Sequence, residues 1–159
     1  MDYQEKLAKV NCLDPACGSG NFLTETYLSL RRLENRALKE IYRDGPLMGG
    51  LVNPIRVSIR QFYGIEINDF AVSVAKTALW IAEYQMREET GEIVKLEDDF
   101  LPLKSYANIH QGNALRTDWQ QIVNPEDLAY IIGNPPFLGY SNQNSAQKED
   151  LLSVFVDEK

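Results

Sequence analysis

The sequence has one histidine, two cysteines, no run of basic residues and no long apolar stretch. Each scarcity excludes something. No segment approaches the roughly 20 apolar residues that span a bilayer, and the opening MDYQEKLAKV lacks the apolar centre of a secretory signal, so a cytoplasmic protein without a membrane partner is expected. If Cys12 lies in a strand, Cys12 and Cys17 stand about 15 Å apart at roughly 3.3 Å per residue, beyond the roughly 7 Å Cα separation of a disulfide. A zinc site needs further ligands, and the only histidine, His110, falls in an unrelated strand-like segment. No metal site is therefore expected, and both cysteines read as small core residues. The formal net charge is −7. A self-sufficient nucleic-acid binder shows a basic patch to neutralise phosphates, so any grip on nucleic acid would come largely from elsewhere.

What is present suits one domain: 159 residues, 44% hydrophobic and 25% charged, with no repeat or low-complexity tract. Residues 10–14, VNCLD, read as a short buried strand that ends in PACGSG. A helix follows, with Leu23, Tyr27, Leu30, Leu33, Ala37 and Ile41 at three- and four-residue steps as one apolar face. The glycines and prolines of 43–54 stop it. VSIRQFYGIEI supplies a second strand, and Asn68 and Asp69 suit the first turn of a helix striped by Ala71, Val72, Ala75, Ala78, Leu79, Ala82 and Met86. The charged segment REETGEIVKLEDD has no clear assignment. YANIHQGNAL and LAYIIGNPPF read as third and fourth strands, and 145–156 as the start of a helix. Strands alternating with helices imply a doubly wound α/β fold with a mainly parallel sheet covered on both faces. In such sheets ligands bind beyond the carboxyl ends of the strands, where strand order reverses.

The loops after the four strands are DPACGSGNF, GIEIND, QGNAL and GNPPF. In the first, Gly18 and Gly20 allow a tight turn and close backbone approach, and the helix starting near Asn21 offers unpaired N–H groups to an anionic end. Leu23 stands where a dinucleotide fingerprint wants a third glycine, so this loop alone reads equally as a turn. Glu66, ending a strand, can accept two hydrogen bonds from ribose hydroxyls or stand as a solvated charge at a helix start. Asn113 can read an adenine edge, because its amide donates and accepts, or serve as a turn residue. In the fourth loop Pro135 and Pro136 restrict the backbone after Asn134, holding its side chain and the Pro135 carbonyl in one posture. Two acceptors then face one way. A planar amino group has two N–H donors, and Phe137 offers its ring a stacking face worth about 1–3 kcal/mol. The combination suits an aromatic amine such as flipped-out adenine.

At these residues the chain resembles an S-adenosylmethionine-dependent DNA amino-methyltransferase of the adenine-N6 kind. DPACGSGNF resembles that family's cofactor motif and GNPPF its Asn-Pro-Pro-aromatic motif. The runs DPACGSGNFLTETY, GIEIND and NPPFLGYS look like the methylase part of MmeI-like fused restriction-modification enzymes, with similarity from about residue 10 to 158. The resemblance implies a Rossmann-like class I methyltransferase fold, truncated after about four strands. It implies that Asp14, Ala16, Gly18 and Gly20 line the methionine end of S-adenosylmethionine, that Glu66 holds the ribose, and that Ile67 packs on the adenine. Relatives often carry Asp where Asn113 stands. Asn134, Pro135, Pro136 and Phe137 would form the catalytic target-base site.

The implied reaction is direct methyl transfer to a base amino group, without a covalent enzyme intermediate. A cytosine-C5 methylase needs a nucleophilic cysteine after a proline, whereas Cys17 follows Ala16 in a glycine loop. Residues 1–159 are thus expected to be a partial catalytic domain whose remaining strands and target-recognition domain lie elsewhere. Double-stranded DNA would be bound by the full-length parent, and the isolated piece would be inactive. Ribosomal-RNA or protein-glutamine methylation, or a non-catalytic binding module, are the competing readings.

Overall fold

The structure, a computed structural model, describes residues 3–43, 53–96 and 108–155. Much of the expected Gly/Pro loop, the end of the charged segment and the first residues of the expected third strand lie outside the described residues. The chain runs α1 (Tyr3–Leu7), β1 (Asn11–Asp14), α2 (Asn21–Ile41), β2 (Phe62–Glu66), α3 (Asp69–Gly91), β3 (Asn108–Gln111), β4 (Leu128–Ile131) and α4 (Ser145–Val154). The four strands form one parallel sheet in the order β3-β2-β1-β4. This is the expected Rossmann-like α/β arrangement. Order reverses between β1 and β4, and that reversal places the candidate loops together.

Alternation along the strands separates two cores. Cys12, Phe62 and Ile109 join Leu23 and Tyr27 of α2 and Val72, Ala75, Leu79, Ala82 and Met86 of α3. Tyr27 meets Phe62 edge to face, ring centres 5.6 Å apart and planes at 88°. On the other face Leu13, Ile65 and Val123 form a smaller cluster with Tyr63, Trp119, Ile122 and Leu128. The stripe expected on α3 is the buried one, with Ala71 and Ala78 at its half-buried margins. The helix also runs on through Gly91, giving the unassigned 87–91 a structure.

Two local expectations are corrected. The second strand starts only at Phe62, because Ser58 caps a 3-10 turn over Ile59–Gln61 and the Ser58 N–H donates to Gln61 Oε1 at 2.8 Å. Gln61 then donates to the Leu7 and Val10 carbonyls, tying this turn to the end of α1. On α2 the apolar face does not continue: Leu33 and Ile41 are 38% and 48% exposed, while Arg31 and Glu34 are buried. Glu34 Oε1 accepts from Gln4 Nε2 (3.1 Å), Arg56 N–H (2.7 Å) and Val57 N–H (3.3 Å), and Glu34 pairs with Arg31. Arg31 also donates to Thr90 Oγ1 at 2.7 Å. Buried backbone N–H groups require acceptors, and here that requirement outweighs the apolar periodicity.

Candidate functional site

Beyond β1 the chain turns sharply and is fastened to β2. The Cys17 N–H donates to the Ile65 carbonyl (3.1 Å), the Gly20 N–H to the Cys17 carbonyl (2.8 Å), and the Gly18 N–H to Glu66 Oε2 (2.9 Å). Gly20 has φ 82°, and a Cβ there would sit 3.0 Å from the Ala75 Cβ, so a left-handed turn and close packing on α3 both require glycine. Gly20 is also the N-cap of α2 and supplies no side-chain acceptor. The first N–H groups of α2 therefore keep their capacity for an anionic group.

Glu66 is a fixed anchor. Besides Gly18, its Oε1 accepts from the Asn68 N–H at 2.9 Å, and its carbonyl accepts from the Gly112 N–H at 2.9 Å. A carboxylate has about four lone-pair sites. With one bond to each oxygen, capacity remains for two hydroxyls. Ile67, next in the chain, is 68% exposed and presents an uncovered apolar side chain beside that carboxylate.

Asp14 ends β1 and is only 1% exposed. Its Oδ1 accepts from the Ala16 N–H at 3.0 Å, while Oδ2 is buried with no hydrogen-bond partner among the described residues. Burial pushes this carboxyl above its ordinary value; the Ala16 bond opposes the shift and the Glu66 charge adds to it. Such an orphaned acceptor is suited to a cation.

β4 brings the fourth loop to the same place. The Ile132 N–H donates to the Leu13 carbonyl at 2.9 Å, extending the ladder past the strand. Gly133 then lies against Asp14: a Cβ on Gly133 would be 2.4 Å from Asp14 Oδ1. The loops after β1 and β4 thus touch, and only glycine permits the approach. Past that contact Asn134, Pro135, Pro136 and Phe137 are all exposed, with no cis peptide bond in the described chain.

Asn113 follows β3, and both ends of its amide are engaged. Nδ2 donates to Asp150 Oδ2 at 2.7 Å, and Oδ1 accepts from the Leu115 N–H at 3.0 Å. Sequence reading missed Asp150, since an acid within a polar helix carries no signal of burial. Cys17 lies under the glycine loop, where burial first, then Asp14 and Glu66, push its thiol up to about 12; burial alone raises Cys12 to about 11. Neither is poised as a nucleophile.

The structure therefore gathers Asp14, Ala16, Gly18, Gly20 and Glu66 around one turn, with Gly133 and the exposed Asn134–Phe137 stretch beside it. A buried orphan acceptor, an uncapped helix start and an anchored carboxylate with spare lone pairs fit a ligand bearing an ammonium, a carboxylate and vicinal hydroxyls. S-adenosylmethionine has those three groups.

Comparison with known proteins follows the same lines. The family model described as MmeI, DNA-methyltransferase domain, matches residues 1–159. DNA methyltransferase A of Bacillus subtilis (strain 168) is 43% identical over 153 residues, covering 94% of this chain and 17% of that protein. A putative type II restriction enzyme and methyltransferase of Methanocaldococcus jannaschii is 30% identical over 132 residues, covering 83% of this chain and 11% of that protein. The solved structure of the type IIL restriction-modification enzyme MmeI in complex with DNA superposes with a TM-score of 0.88 at 40% identity, covering 97% of this chain and 21% of that one. The chain thus spans about a fifth or less of the length of these relatives.

Proposed function

The chain belongs to the MmeI DNA-methyltransferase domain family, and on that premise we propose that the full-length protein transfers a methyl group from S-adenosylmethionine to the N6 amino group of adenine in DNA, within a restriction-modification system. The observation that carries this reading is the contact of Asp14 with Gly133, which sets the glycine turn and the Asn-Pro-Pro-Phe loop side by side at the strand-order switch. A methyl donor and an amine acceptor must meet at close range.

S-adenosylmethionine, when bound, supplies an electrophilic methyl group on a sulfonium. Asp14 would accept from its ammonium, the α2 N-terminus would face its carboxylate, Glu66 would accept from its ribose hydroxyls, and Ile67 would cover its adenine. Ala16, Gly18 and Gly20 would keep the turn narrow enough for backbone approach. Asn113 would shape the adenine pocket through its turn, its amide being held by Asp150 and Leu115.

Asn134 Oδ1 and the Pro135 carbonyl would accept the two N–H bonds of the target amino group. As those bonds are held out of the ring's conjugation, the nitrogen lone pair would be freed to attack the methyl carbon; the carbon–sulfur bond would break as the carbon–nitrogen bond forms, the neutral thioether would leave, and the methylated amine would then give up one N–H proton to water. Pro136 stiffens the loop, and Phe137 stacks on the extruded base, offsetting part of the few kcal/mol needed to unstack it. The gain in rate comes from alignment and from hydrogen bonds that strengthen as positive charge develops on the amine.

β4 is one of the two edges of the described sheet, and its Tyr130 and Ile131 are exposed. This supports reading residues 1–159 as part of a larger catalytic domain, with target recognition supplied by other segments. Among the described residues no helix is long and apolar enough to cross a membrane; a cytoplasmic site accords with a DNA substrate.

The test is methyl transfer to DNA by the full-length protein beside its Asn134→Ala variant, with calorimetric titration of S-adenosylmethionine into both. Lost transfer with retained cofactor binding is expected. Unchanged turnover in the variant would remove Asn134 from the mechanism, and transfer to RNA or protein in preference to DNA would replace the substrate.

A further inference from the structure

Asp150 is the one buried residue of α4, at 9% exposure. Both carboxylate oxygens are used: Oδ2 accepts from Asn113 Nδ2 at 2.7 Å, and Oδ1 pairs with the Arg116 guanidinium through Nε and Nη2. Asn113 is itself the hub of the turn after β3. Its carbonyl accepts from the Arg116 and Thr117 N–H groups, both at 2.9 Å, and from Thr117 Oγ1 at 2.8 Å. One residue earlier, the Gly112 N–H donates to the Glu66 carbonyl. Asp150 therefore grips the turn next to the residue assigned to the ribose.

At its other end α4 is joined to the Asn-Pro-Pro-Phe loop. Gln143 Nε2 donates to the Leu138 carbonyl at 2.9 Å, and Asn144 with Gln147 forms a capping box that starts the helix. Apolar packing does little to hold α4 down, because Leu151, Leu152 and Val154 are exposed. A helix docked chiefly by one polar clasp responds to small changes at the turn it clasps. The buried Asp150 carboxylate holds the half-buried Asn113 amide and the more exposed Arg116 guanidinium at once, so its bonds to that turn form or break together, which is what a link between two sites requires.

We infer that Asp150 is a positioning residue that links the cofactor pocket to the target-base loop, so that cofactor bound at the Glu66–Asn113 end orders residues 134–143 and an ordered base loop tightens cofactor binding in return. The inference rests on the cofactor reading above and adds the route by which the two halves of the site sense each other. Asn113 then acts through its place in this clasp, with one N–H and one oxygen lone pair of its amide left over for the adenine edge.

The experiment is hydrogen exchange on the full-length protein with and without saturating S-adenosylmethionine, for the wild type, Asp150→Ala and Asp150→Asn. In the wild type the cofactor slows exchange in residues 16–20 and, by about tenfold, in 134–143, a typical coupling between two sites. In Asp150→Ala the slowing in 16–20 persists and that in 134–143 disappears. Asp150→Asn keeps a hydrogen bond to Asn113 but loses the charge facing Arg116, and gives an intermediate effect; should the alanine variant unfold α4 outright, the asparagine variant decides. Equal slowing of 134–143 in wild type and Asp150→Asn would overturn the inference. So would a wild type in which the cofactor slows 16–20 alone, which leaves the cofactor reading standing. No slowing of 16–20 in the wild type would overturn the cofactor reading and the inference with it.

Discussion

Replacing Asp14 with Asn should stabilise the cofactor-free protein and weaken cofactor binding at the same time. Asp14 is buried, has one hydrogen bond, from Ala16, and leaves Oδ2 without a partner. A buried unsatisfied polar group costs about 1–3 kcal/mol, and more when charged. The amide retains the acceptor for Ala16 and removes the charge, yet its own NH2 lacks a partner, so a net gain of about 1 kcal/mol is expected, or about 2–4 °C in midpoint for a domain of this size. The pH dependence has a definite sign. The folded-state pKa of Asp14 is raised above 3.8, so wild-type stability is fully present below the unfolded value and is lost as pH rises through the folded one. The advantage of the variant therefore appears as pH climbs out of the carboxylate range and persists at neutrality. Ligand reverses the order. At about 100 Kd, cofactor adds about 2.7 kcal/mol to the wild type. A variant bound about thirtyfold more weakly, having lost a charge-assisted hydrogen bond, gains only about 1 kcal/mol at the same concentration. Thermal melts from pH 4 to 8, with and without S-adenosylmethionine, read both effects. A variant less stable than wild type at neutral pH without ligand, or one with an equal ligand-induced shift, would refute the role given to Asp14.

Other expectations follow from the same contacts. Gly133→Ala puts a methyl 2.4 Å from Asp14 Oδ1; displacing the base loop should cost about 1–3 kcal/mol of stability and remove most methyl transfer, measured by urea unfolding beside a transfer assay. Phe137→Ala should weaken binding of DNA with an extruded adenine by about 1–3 kcal/mol and leave the unfolding midpoint unchanged, because that ring is fully exposed; a lowered midpoint would show that the ring packs within the fold. Glu34→Ala leaves the buried Arg31 without its counter-charge and the Arg56 and Val57 N–H groups without their acceptor and should destabilise by about 3–5 kcal/mol, seen as a fall in the urea midpoint with no direct effect on the base loop. Cys12 and Cys17, with thiols raised to about 11 and about 12, should react with a disulfide reagent at pH 8 only as fast as the protein opens; rapid labelling of the folded form would contradict their burial.

Local pattern determined a good part of this protein. The α3 stripe, the strand, glycine-turn and helix order, and the placing of polar loops just past four strand ends were all legible, because burial in a parallel sheet and one-sided helix packing leave short-range periodicities of about two and 3.6 residues. The resemblance of DPACGSGNF and GNPPF to paired motifs supplied the family. Tertiary structure decided what depends on partners distant in the chain. Arg31 and Glu34 displace apolar Leu33 and Ile41 from the buried face of α2 because the N–H groups of Arg56 and Val57 need an acceptor there. Asp14 meets Gly133, and Asp150 takes the Asn113 amide, only because β4 returns to pair with β1 and carries α4 over the turn after β3. A residue's periodicity states which way its side chain faces; only the folded chain brings up the donor, acceptor or charge that gives that side chain its role.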